Sequence, residues 1–353
     1  MAIDRPVHLT STKLSSWQGS FLLTTLMMDV SILKKEYKMK VLIFGAGVIG
    51  TIYGYVLSQA GNDVTHYVRL GKKKSLENGI CIQLLDGRSQ PAKQETVLYK
   101  AKIVEDFSPS DNYDLVIVSV RHYQLDTVLP ILKDKIGDSD VLIFNGNWDG
   151  FQNLDQYLPR SKFILGFPVA GGGYNAGTLD GALLDEIRLG ELDGQPTPGL
   201  ERIQQMFEGA GLKVDIQANM IHWLWVHFAI NSGIIGAAFK AGGASELLNS
   251  IPNLRKGILA GREALAVCQA RGVDVKSFDD AKSFYMPAWF GATAVWFMMK
   301  TNLPARKIME THTAVDELQE MYRDLLKSGE EMNVSMPHYV SLKNYVDHPQ
   351  FAS

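Results

Sequence analysis

The sequence predicts an α/β protein in which a doubly wound parallel sheet is followed by an all-helical C-terminal part. Three observations carry this prediction. Short apolar runs such as residues 40–44 (KVLIF) and 114–120 (DLVIVSV) are typical of strands buried on both faces. Stretches with helical periodicity lie between several of these runs, which indicates parallel strands joined by helices. After about residue 217 the strand signals end and long helical stretches take over.

The elements can be placed in order along the chain. Strands are predicted at residues 40–44, 63–68, 80–85, 96–104, 114–120, 141–144 and 163–167, with helices at 48–60 and 123–135. Helices are predicted at residues 219–240, 251–270, 287–300 and 306–328. The change of class near residue 218 divides the chain into two expected domains, residues 39–218 and residues 219–353.

Composition excludes several classes of protein. The chain has 353 residues, is 46% hydrophobic and carries a formal net charge of −3, so no basic surface argues for a nucleic-acid partner. No run of 18 apolar residues predicts a membrane span. Cys81 and Cys268 are far apart and show no metal-ligand spacing. They are interpreted as free thiols of a cytoplasmic protein without a metal site.

Residues 1–38 do not fit the pattern of the rest. The apolar run at residues 21–28 is faintly similar to a signal peptide, but Asp29 interrupts it and no small-residue cleavage site follows. Met39 stands where the first strand begins. We expect residues 1–38 to be a poorly ordered, dispensable extension, with a targeting peptide as the alternative.

A glycine-rich loop follows the first strand and predicts a Rossmann-type dinucleotide-binding domain. The G-x-G-x-x-G pattern consists of Gly45, Ala46, Gly47, Val48, Ile49 and Gly50. In such loops the first glycine permits the tight turn, the second lets backbone amides approach the pyrophosphate, and the third lets helix and strand pack closely. The pattern alone is weak, but here it lies between a buried strand and a helix, which is the context it requires.

The end of the second strand indicates which dinucleotide is bound. An NAD enzyme usually has an acidic residue there, which bonds the ribose 2′-hydroxyl. This chain has Arg69 instead, followed by Lys72, Lys73 and Lys74. Arg69 would neutralise a 2′-phosphate, so the sequence predicts NADPH as the cofactor. A solvated basic turn is the alternative interpretation.

From about residue 39 to residue 345 the chain resembles the ketopantoate reductase (2-dehydropantoate 2-reductase) family. The resemblance rests on features in a fixed order: GAGVIG after MKVLIF, Val68-Arg69, Ser119-Val120-Arg121 with Gln124, Asn145-Gly146, Gly166, residues 207–214 (FEGAGLKV), Trp225 with Asn231, residues 262–266 and residues 333–337. It implies reduction of a 2-oxo acid with NADPH, in which a lysine of a W-x-K-x-x-x-N pattern supplies the proton.

The resemblance breaks at the proton donor. His227 stands where the family has its lysine, whereas the substrate-binding asparagine is kept as Asn231. A second family asparagine is replaced by Ile235, and a third falls near Ala244 or Ser245. Residues four apart share a helix face, and an imidazolium near neutral pH would both donate a proton and stabilise an alkoxide. The alternative is a core histidine packed among aromatic residues.

Three more site residues are implied by the resemblance. Asn145 ends a predicted strand and matches an asparagine that touches both cofactor and substrate; the alternative is a turn residue. Arg121 also ends a strand and would reach a cofactor phosphate or a substrate carboxylate, unless it forms only a surface ion pair. Glu317 matches a glutamate near the nicotinamide ribose.

The sequence therefore predicts an NADPH-dependent reductase of a small-molecule 2-oxo acid, either ketopantoate or a related, less polar carbonyl compound. Two alternatives stay open. One is a catalytically idle paralogue that binds NADPH as a sensor, and the other is a dehydrogenase of an opine or a 2-hydroxy acid. The apolar helical region at residues 284–299 suggests pairing into a homodimer.

Overall fold

The computed structural model describes residues 38–349, with the exception of residues 122–123, 145, 147, 152–153 and 193. Apart from Lys38, the expected N-terminal extension lies outside the described residues, and so does Asn145. Within the described part, a mainly parallel sheet is followed by helices, which confirms the fold class predicted from the sequence.

The described residues form strands in the first part of the chain and helices in the second. The strands are β1 (Lys40–Phe44), β2 (Asp63–Tyr67), β3 (Ile80–Asp86), β4 (Lys93–Tyr99), β5 (Lys102–Val104), β6 (Leu115–Val118), β7 (Asp140–Phe144), β8 (Phe163–Asn175), β9 (Thr178–Glu191) and β10 (Lys213–Ile216). The helices are α1 (Val48–Gln59), α2 (Leu125–Lys133), α3 (Pro198–Gly209), α4 (Met220–Ala241), α5 (Ala244–Leu248), α6 (Ile251–Ala270), α7 (Lys282–Tyr285), α8 (Ala288–Thr301), α9 (Leu303–Glu310), α10 (Val315–Glu331), α11 (Pro337–Val340) and α12 (Lys343–Asp347).

The sheet contains a parallel portion whose strand order is β5-β2-β1-β6-β7-β8. Numbered by position in the chain, these six strands have the order 3-2-1-4-5-6 of a dinucleotide-binding sheet. The order reverses between β1 and β6, which creates a crevice at their carboxyl ends. Ligands of open α/β sheets bind in such a crevice.

The second half of the sheet differs from the sequence-based expectation. The sequence predicts a short strand at residues 163–167, which would end before the three glycines at residues 171–173. Instead, β8 continues to Asn175 and pairs antiparallel with β9, a strand that the sequence patterns did not predict. Gly172 has a φ of +157° and lies opposite Gly181, and a Cβ at Gly172 would lie 2.3 Å from the Asp180 carbonyl oxygen. The glycines therefore permit close backbone approach within the sheet, and they do not indicate flexibility.

Both faces of the parallel sheet are covered, as its apolar strands require. Along β1, Val41 and Ile43 pack in a core shared with α1, while Leu42 and Phe44 pack on the other face in a core shared with α2. The first turns of α4 contribute to this second core through Met220, Trp223 and Leu224. A third core lies among the C-terminal helices. Helix α4 therefore joins the sheet to the helical part.

The change from strands to helices falls between Ile216 and Met220. Helix α4 begins there because the Asn219 side chain accepts a hydrogen bond from the His222 amide, 3.0 Å away, and thereby caps the helix. The division into separate domains at residue 218 stays a prediction. Among the helices of the described residues, none is long and apolar enough to cross a bilayer.

Candidate functional site

The glycine-rich loop presents backbone amides at the carboxyl end of β1. Gly45 has a φ of +109°, and its N–H donates to the Tyr67 carbonyl oxygen at 2.8 Å. Helix α1 begins directly afterwards, with Gly47 as its N-cap and no acidic residue in its first turn. Within the described part of the chain, the amides of Val48, Ile49 and Gly50 have no hydrogen-bond acceptor. A helix N-terminus of this kind attracts an anionic group.

The second and third glycines of the loop meet different surroundings. A Cβ built on Gly47 would have no atom within 4 Å, so this position faces open space. A Cβ on Gly50 would lie 2.9 Å from Ser119 Oγ and 3.0 Å from Ile43 Cγ2. The loop therefore has the two properties expected from its sequence, an accessible approach at Gly47 and close helix–strand packing at Gly50.

The ends of neighbouring parallel strands form a continuous edge beside this loop. Arg69 follows β2, Ser119 and Arg121 follow β6, and Phe167 lies just beyond the end of the parallel pairing of β8 with β7. The hydroxyl of Ser119 is buried and, among the described residues, has no hydrogen-bond partner. Polar groups are thus available at the point where the strand order reverses.

Arg69 is exposed and forms no ion pair with the described residues. The nearby carboxylate of Glu105, which the sequence patterns did not single out, accepts a hydrogen bond from the Lys73 amide at 2.9 Å. Glu105 therefore stabilises the basic turn after β2. A cation at this place is suited to a cofactor with a 2′-phosphate. A cofactor with a free ribose 2′-hydroxyl would be better matched by an acidic residue.

Arg121 and Glu317, both expected at the cofactor site, lie close together. Arg121 Nη1 donates to Asp316 Oδ2 at 2.5 Å, and Arg121 Nε is 3.7 Å from Glu317 Oε2. The side chains thus connect the end of β6 to the first turn of α10, where carboxylates are favoured by the helix dipole. Arg121 already has a carboxylate partner, so an anionic ligand would have to compete with Asp316.

His312 belongs to the same electrostatic cluster and was not expected there. Its Nε2 atom is buried and has no hydrogen-bond partner among the residues that the structure describes. Burial lowers the pKa of His312, with an opposing effect from Glu317 and a reinforcing effect from Arg121. The imidazole is therefore kept neutral beside the Arg121–Glu317 pair.

His227 lies on α4 between aromatic rings. Its ring stacks on Trp223 with centroids 4.8 Å apart and an interplanar angle of 17°. Phe167 contacts it from the strand side at 4.2 Å. Because Phe167 lies at the carboxyl edge of the parallel strands, this packing brings His227 to the edge that carries the glycine-rich loop. Within the described part, neither ring nitrogen has a hydrogen-bond partner.

The sequence predicts a charged His227 ring near neutral pH, but the surroundings of the ring disfavour this charge. Burial, together with the positive charge of Arg188, lowers the pKa of His227 to about 3. The ring is therefore neutral near pH 7, and an imidazolium is not available there as a proton donor. The sequence could place His227 on the helix but could not reveal Arg188, which comes from the distant strand β9. The catalytic role of His227 stays a prediction.

Asn231 follows His227 by one helical turn and is partly buried. No residue in the described ranges forms a hydrogen bond with its amide. Ile235, a further turn along, packs against the helical core. Along α4 the imidazole ring of His227 is thus followed by an amide and then by a hydrocarbon side chain. This order suits a ligand whose polar end lies near His227 and whose less polar end lies near Ile235.

Tyr174 is another residue at this edge that the sequence did not reveal. Its hydroxyl donates to the Ala46 carbonyl oxygen at 3.3 Å and lies 3.1 Å from Thr51 Oγ1. The β8–β9 hairpin therefore contacts the glycine-rich loop. Only the antiparallel pairing of β8 with β9 places Tyr174 there, and that pairing has no local sequence signal.

Part of the chain matches a known protein family. Residues 41–194, which include the glycine-rich loop and the whole parallel portion of the sheet, match the family described as ketopantoate reductase PanE/ApbA. The match covers less than half of the chain. The resemblance seen in the sequence is confirmed.

Curated relatives of the ketopantoate reductase family are distant. A 2-dehydropantoate 2-reductase from Pyrococcus horikoshii is 29% identical over 219 residues, which is 57% of this chain and 64% of the relative. A 2-dehydropantoate 2-reductase from a Nostoc species is 25% identical over 53% of this chain and 58% of the relative. The chain thus matches less than two thirds of the length of these relatives.

Some solved structures share the fold over nearly all of their own length. A 2-dehydropantoate 2-reductase from Geobacter metallireducens has a TM-score of 0.64 at 17% identity and covers 87% of this chain and 98% of its own. A ternary structure of a D-mandelate dehydrogenase with NADH and anilino(oxo)acetate also has a TM-score of 0.64 at 17% identity, covering 88% of this chain and 97% of its own. At this identity the likeness shows the fold alone.

Proposed function

We propose that this chain is an NADPH-dependent oxidoreductase that reduces a 2-oxo acid, ketopantoate or a related, less polar carbonyl compound, to the 2-hydroxy acid. The observation that carries the proposal is the set of amides at the glycine-rich loop that no described residue accepts from, next to the exposed Arg69. The match of residues 41–194 to the ketopantoate reductase family supports it. The names of the relatives support the substrate class.

The residues present fit a dinucleotide phosphate. The amides at the start of α1 would hold the pyrophosphate, Arg69 would hold the 2′-phosphate, and Arg121 with Glu317 would lie toward the rest of the cofactor. Asn145, which lies outside the described residues, follows the last residue of β7 and stays a prediction at the same edge. When bound, NADPH supplies the hydride that adds to the ketone carbon.

His227 and Asn231 would act on the substrate oxygen. Hydride addition leaves negative charge on this oxygen, and donors aimed at it lower the barrier. Since the His227 ring is neutral, it would act as an N–H hydrogen-bond donor, as neutral imidazoles do in other carbonyl chemistry. The Asn231 amide, which bonds to none of the described residues, would bind the same oxygen or the carboxylate, and Ile235 would contact the hydrocarbon part of the substrate.

The decisive experiment is NADPH oxidation with a panel of 2-oxo acids that ranges from ketopantoate to aryl-substituted compounds. We expect turnover with at least one of them and none without an oxo acid. Tight NADPH binding with no turnover on any compound would instead support the idle, sensing paralogue. Faster turnover of 2-hydroxy acids or opines with NADP⁺ would support the dehydrogenase.

Arg69→Asp is expected to narrow or reverse the preference for NADPH over NADH. The substitution removes a charge-assisted contact to the 2′-phosphate, which contributes about 1.5–3 kcal/mol. NADPH affinity should therefore fall by roughly 10- to 100-fold, whereas NADH affinity should not fall. Fluorescence titration with both cofactors measures this.

The matched control for Arg69 is Lys100→Asp, which makes the same change of charge at another exposed position. It should leave both affinities unchanged apart from a small, salt-screened effect. Equal binding of NADPH and NADH by the unaltered protein would show that Arg69 does not select the cofactor.

Arg121 and Asp316 are expected to have opposite effects on ligand binding. Arg121→Gln removes the cation and should weaken binding of NADPH or of the oxo acid by roughly 10- to 100-fold. Asp316→Asn removes the competing carboxylate and should strengthen the same binding step by up to about fivefold, the value of an exposed ion pair. The affinity for NADPH and the KM of the oxo acid show which ligand is involved.

Asp279→Asn is the control for this pair, because Asp279 forms an exposed ion pair with Lys282. It should not change ligand binding. If Arg121→Gln and Asp316→Asn both leave ligand affinities unchanged, the two residues form only a structural ion pair.

Two expectations about the molecule's surroundings stay predictions. One is the cytoplasmic location. The other is a homodimer, for which the exposed aromatic side chains of α8 offer a surface: Trp289, Phe290 and Phe297 have 53%, 66% and 63% of their surface exposed. A ketopantoate reductase from Staphylococcus aureus with the same fold is described as dimeric.

A further inference from the structure

His66 is a fully buried histidine for which the proposed reaction has no use. It lies on β2 opposite Ile43 of β1, one residue before Tyr67. Buried histidines need hydrogen-bond partners for their ring nitrogens. The partners of His66 lead to the glycine-rich loop.

Both ring nitrogens of His66 are satisfied. Nδ1 is 2.9 Å from the Gly45 carbonyl oxygen, and Nε2 is 3.2 Å from the Tyr99 hydroxyl. A carbonyl oxygen can only accept, so Nδ1 carries the hydrogen and Nε2 accepts from Tyr99. The Tyr99 oxygen in turn lies 3.3 Å from Ser58 Oγ, which can donate to it. These contacts form one directional chain of hydrogen bonds from α1 to the loop.

The first helix leaves space for this ring. A Cβ on Gly54 of α1 would lie 2.4 Å from His66 Nε2 and 2.7 Å from Cε1. No larger residue fits at Gly54 while the ring occupies its place. The absence of a side chain at this position therefore allows the imidazole to lie between the helix and β2.

Gly45 is held in the loop by both of its backbone groups. Its N–H donates to the Tyr67 carbonyl oxygen, and its own carbonyl accepts from His66. The φ of +109° makes Gly45 the point at which the chain turns from β1 toward α1. A change in the orientation of its peptide group would move the amides that follow it.

The His66 ring is neutral at ordinary pH. Burial lowers the pKa of His66, and the hydrogen bond to Gly45 only partly opposes this. The ring therefore offers a single N–H donor. Its hydrogen lies on Nδ1 because the Gly45 carbonyl accepts there and the Tyr99 hydroxyl donates to Nε2.

We propose that His66 is a positioning residue for the dinucleotide site, which holds the Gly45 carbonyl through Nδ1–H while the Tyr99 hydroxyl fixes the tautomer. The proposal rests on the proposed function, because it assumes that the loop binds NADPH. It assigns to His66 an effect on cofactor affinity and none on the chemical step.

The test compares two substitutions of His66. Asn offers an amide donor near the position of Nδ1, whereas Leu fills space without a donor. We expect His66→Leu to weaken NADPH binding by about 3- to 10-fold, the value of one neutral hydrogen bond, and His66→Asn to restore most of the loss. The turnover number at saturating NADPH should stay unchanged in both.

Val64→Ala is the matched control, because it weakens the core on the same strand at a position paired with Val41, near the start of β1 and away from its loop end. It should lower the free energy of unfolding and leave NADPH affinity unchanged. If His66→Leu binds NADPH as tightly as the unaltered protein, or if Asn restores nothing, His66 is a core residue only.

The tautomer provides a readout that does not depend on substituting His66. The ¹⁵N shifts of the His66 ring in the unaltered protein should report hydrogen on Nδ1, the less common form of free histidine. Tyr99→Phe should allow the Nε2–H form to appear. Hydrogen on Nε2 in the unaltered protein would overturn the proposal. Absence of NADPH binding by the unaltered protein would instead contradict the proposed function.

Discussion

Gly47→Val should abolish NADPH binding while the protein stays folded. The site at Gly47 is open and its φ of −76° suits any residue, so the folded chain can accommodate valine. The branched side chain would occupy the space through which the pyrophosphate reaches the amides of α1. Charge-assisted hydrogen bonds contribute about 1.5–3 kcal/mol each, so the loss of two of them weakens binding by roughly a hundredfold or more.

Gly209→Val provides the comparison for this effect. Gly209 ends α3, and a Cβ there would also have no atom within 4 Å. It should leave NADPH affinity unchanged in a fluorescence titration, while circular dichroism shows a native fold for both variants. Retained NADPH affinity in folded Gly47→Val protein would mean that the pyrophosphate does not approach this loop.

His227→Phe should lower the turnover number by about 10²–10³-fold, the usual loss when one donor to a developing oxyanion is removed. Phenylalanine keeps the stacking on Trp223 and the contact with Phe167 but lacks the N–H. NADPH affinity should stay unchanged. His222→Phe is the control, because His222 stacks on Trp225, away from this cluster. Unchanged turnover of His227→Phe would show that the ring serves packing alone.

The same variant separates protonation from packing through the pH dependence of stability. The pKa of His227 is about 3 in the folded protein and about 6.5 when unfolded, so the folded state resists protonation. The contribution of the neutral His227 ring to the free energy of unfolding is complete above pH 6.5 and is lost as the pH falls toward 3. From pH 7 to 5, the unaltered protein should lose up to about 2 kcal/mol more stability than His227→Phe, as measured by urea unfolding. Equal losses would show that folding does not lower the pKa of His227.

The low pKa also changes the expected rate profile. An imidazolium donor would have produced a fall in the reductive rate near pH 7. A neutral ring titrates far below that range, so no inflection near pH 7 is expected from His227. If the rate profile of the unaltered protein has an inflection near pH 7 that is absent in His227→Phe, the charged imidazolium is the proton donor after all.

The sequence was sufficient for features that depend on local patterns. The apolar run of β1, the glycine spacing and the helical face of His227 and Asn231 all follow from residues near one another in the chain. These features predicted the parallel sheet, the cofactor loop and the start of the helical part. Arg69 could be placed for the same reason, since it follows directly after β2.

Features that depend on distant pairing could not be predicted. The lowered pKa of His227 comes first from burial of the ring and then from Arg188, which the β8–β9 pairing brings opposite Phe167. His66 reaches Gly45 only because β1 and β2 lie side by side. The antiparallel strand β9 has no helix before it and no regular alternation to mark it. In each case the missing information was which segments are neighbours in space.

The outer strands of the sheet have a consequence for how the protein behaves at high concentration. Exposed strand edges can pair with other chains and aggregate. In this sheet the edge strand β5 has only three residues, and the edge strand β4 carries exposed Lys93 and Gln94 and the partly buried Glu95. Strand β10 is flanked by ion pairs of Lys213 with Asp185 and of Asp215 with Arg188. Short, charged edges of this kind disfavour growth of the sheet from one molecule into the next.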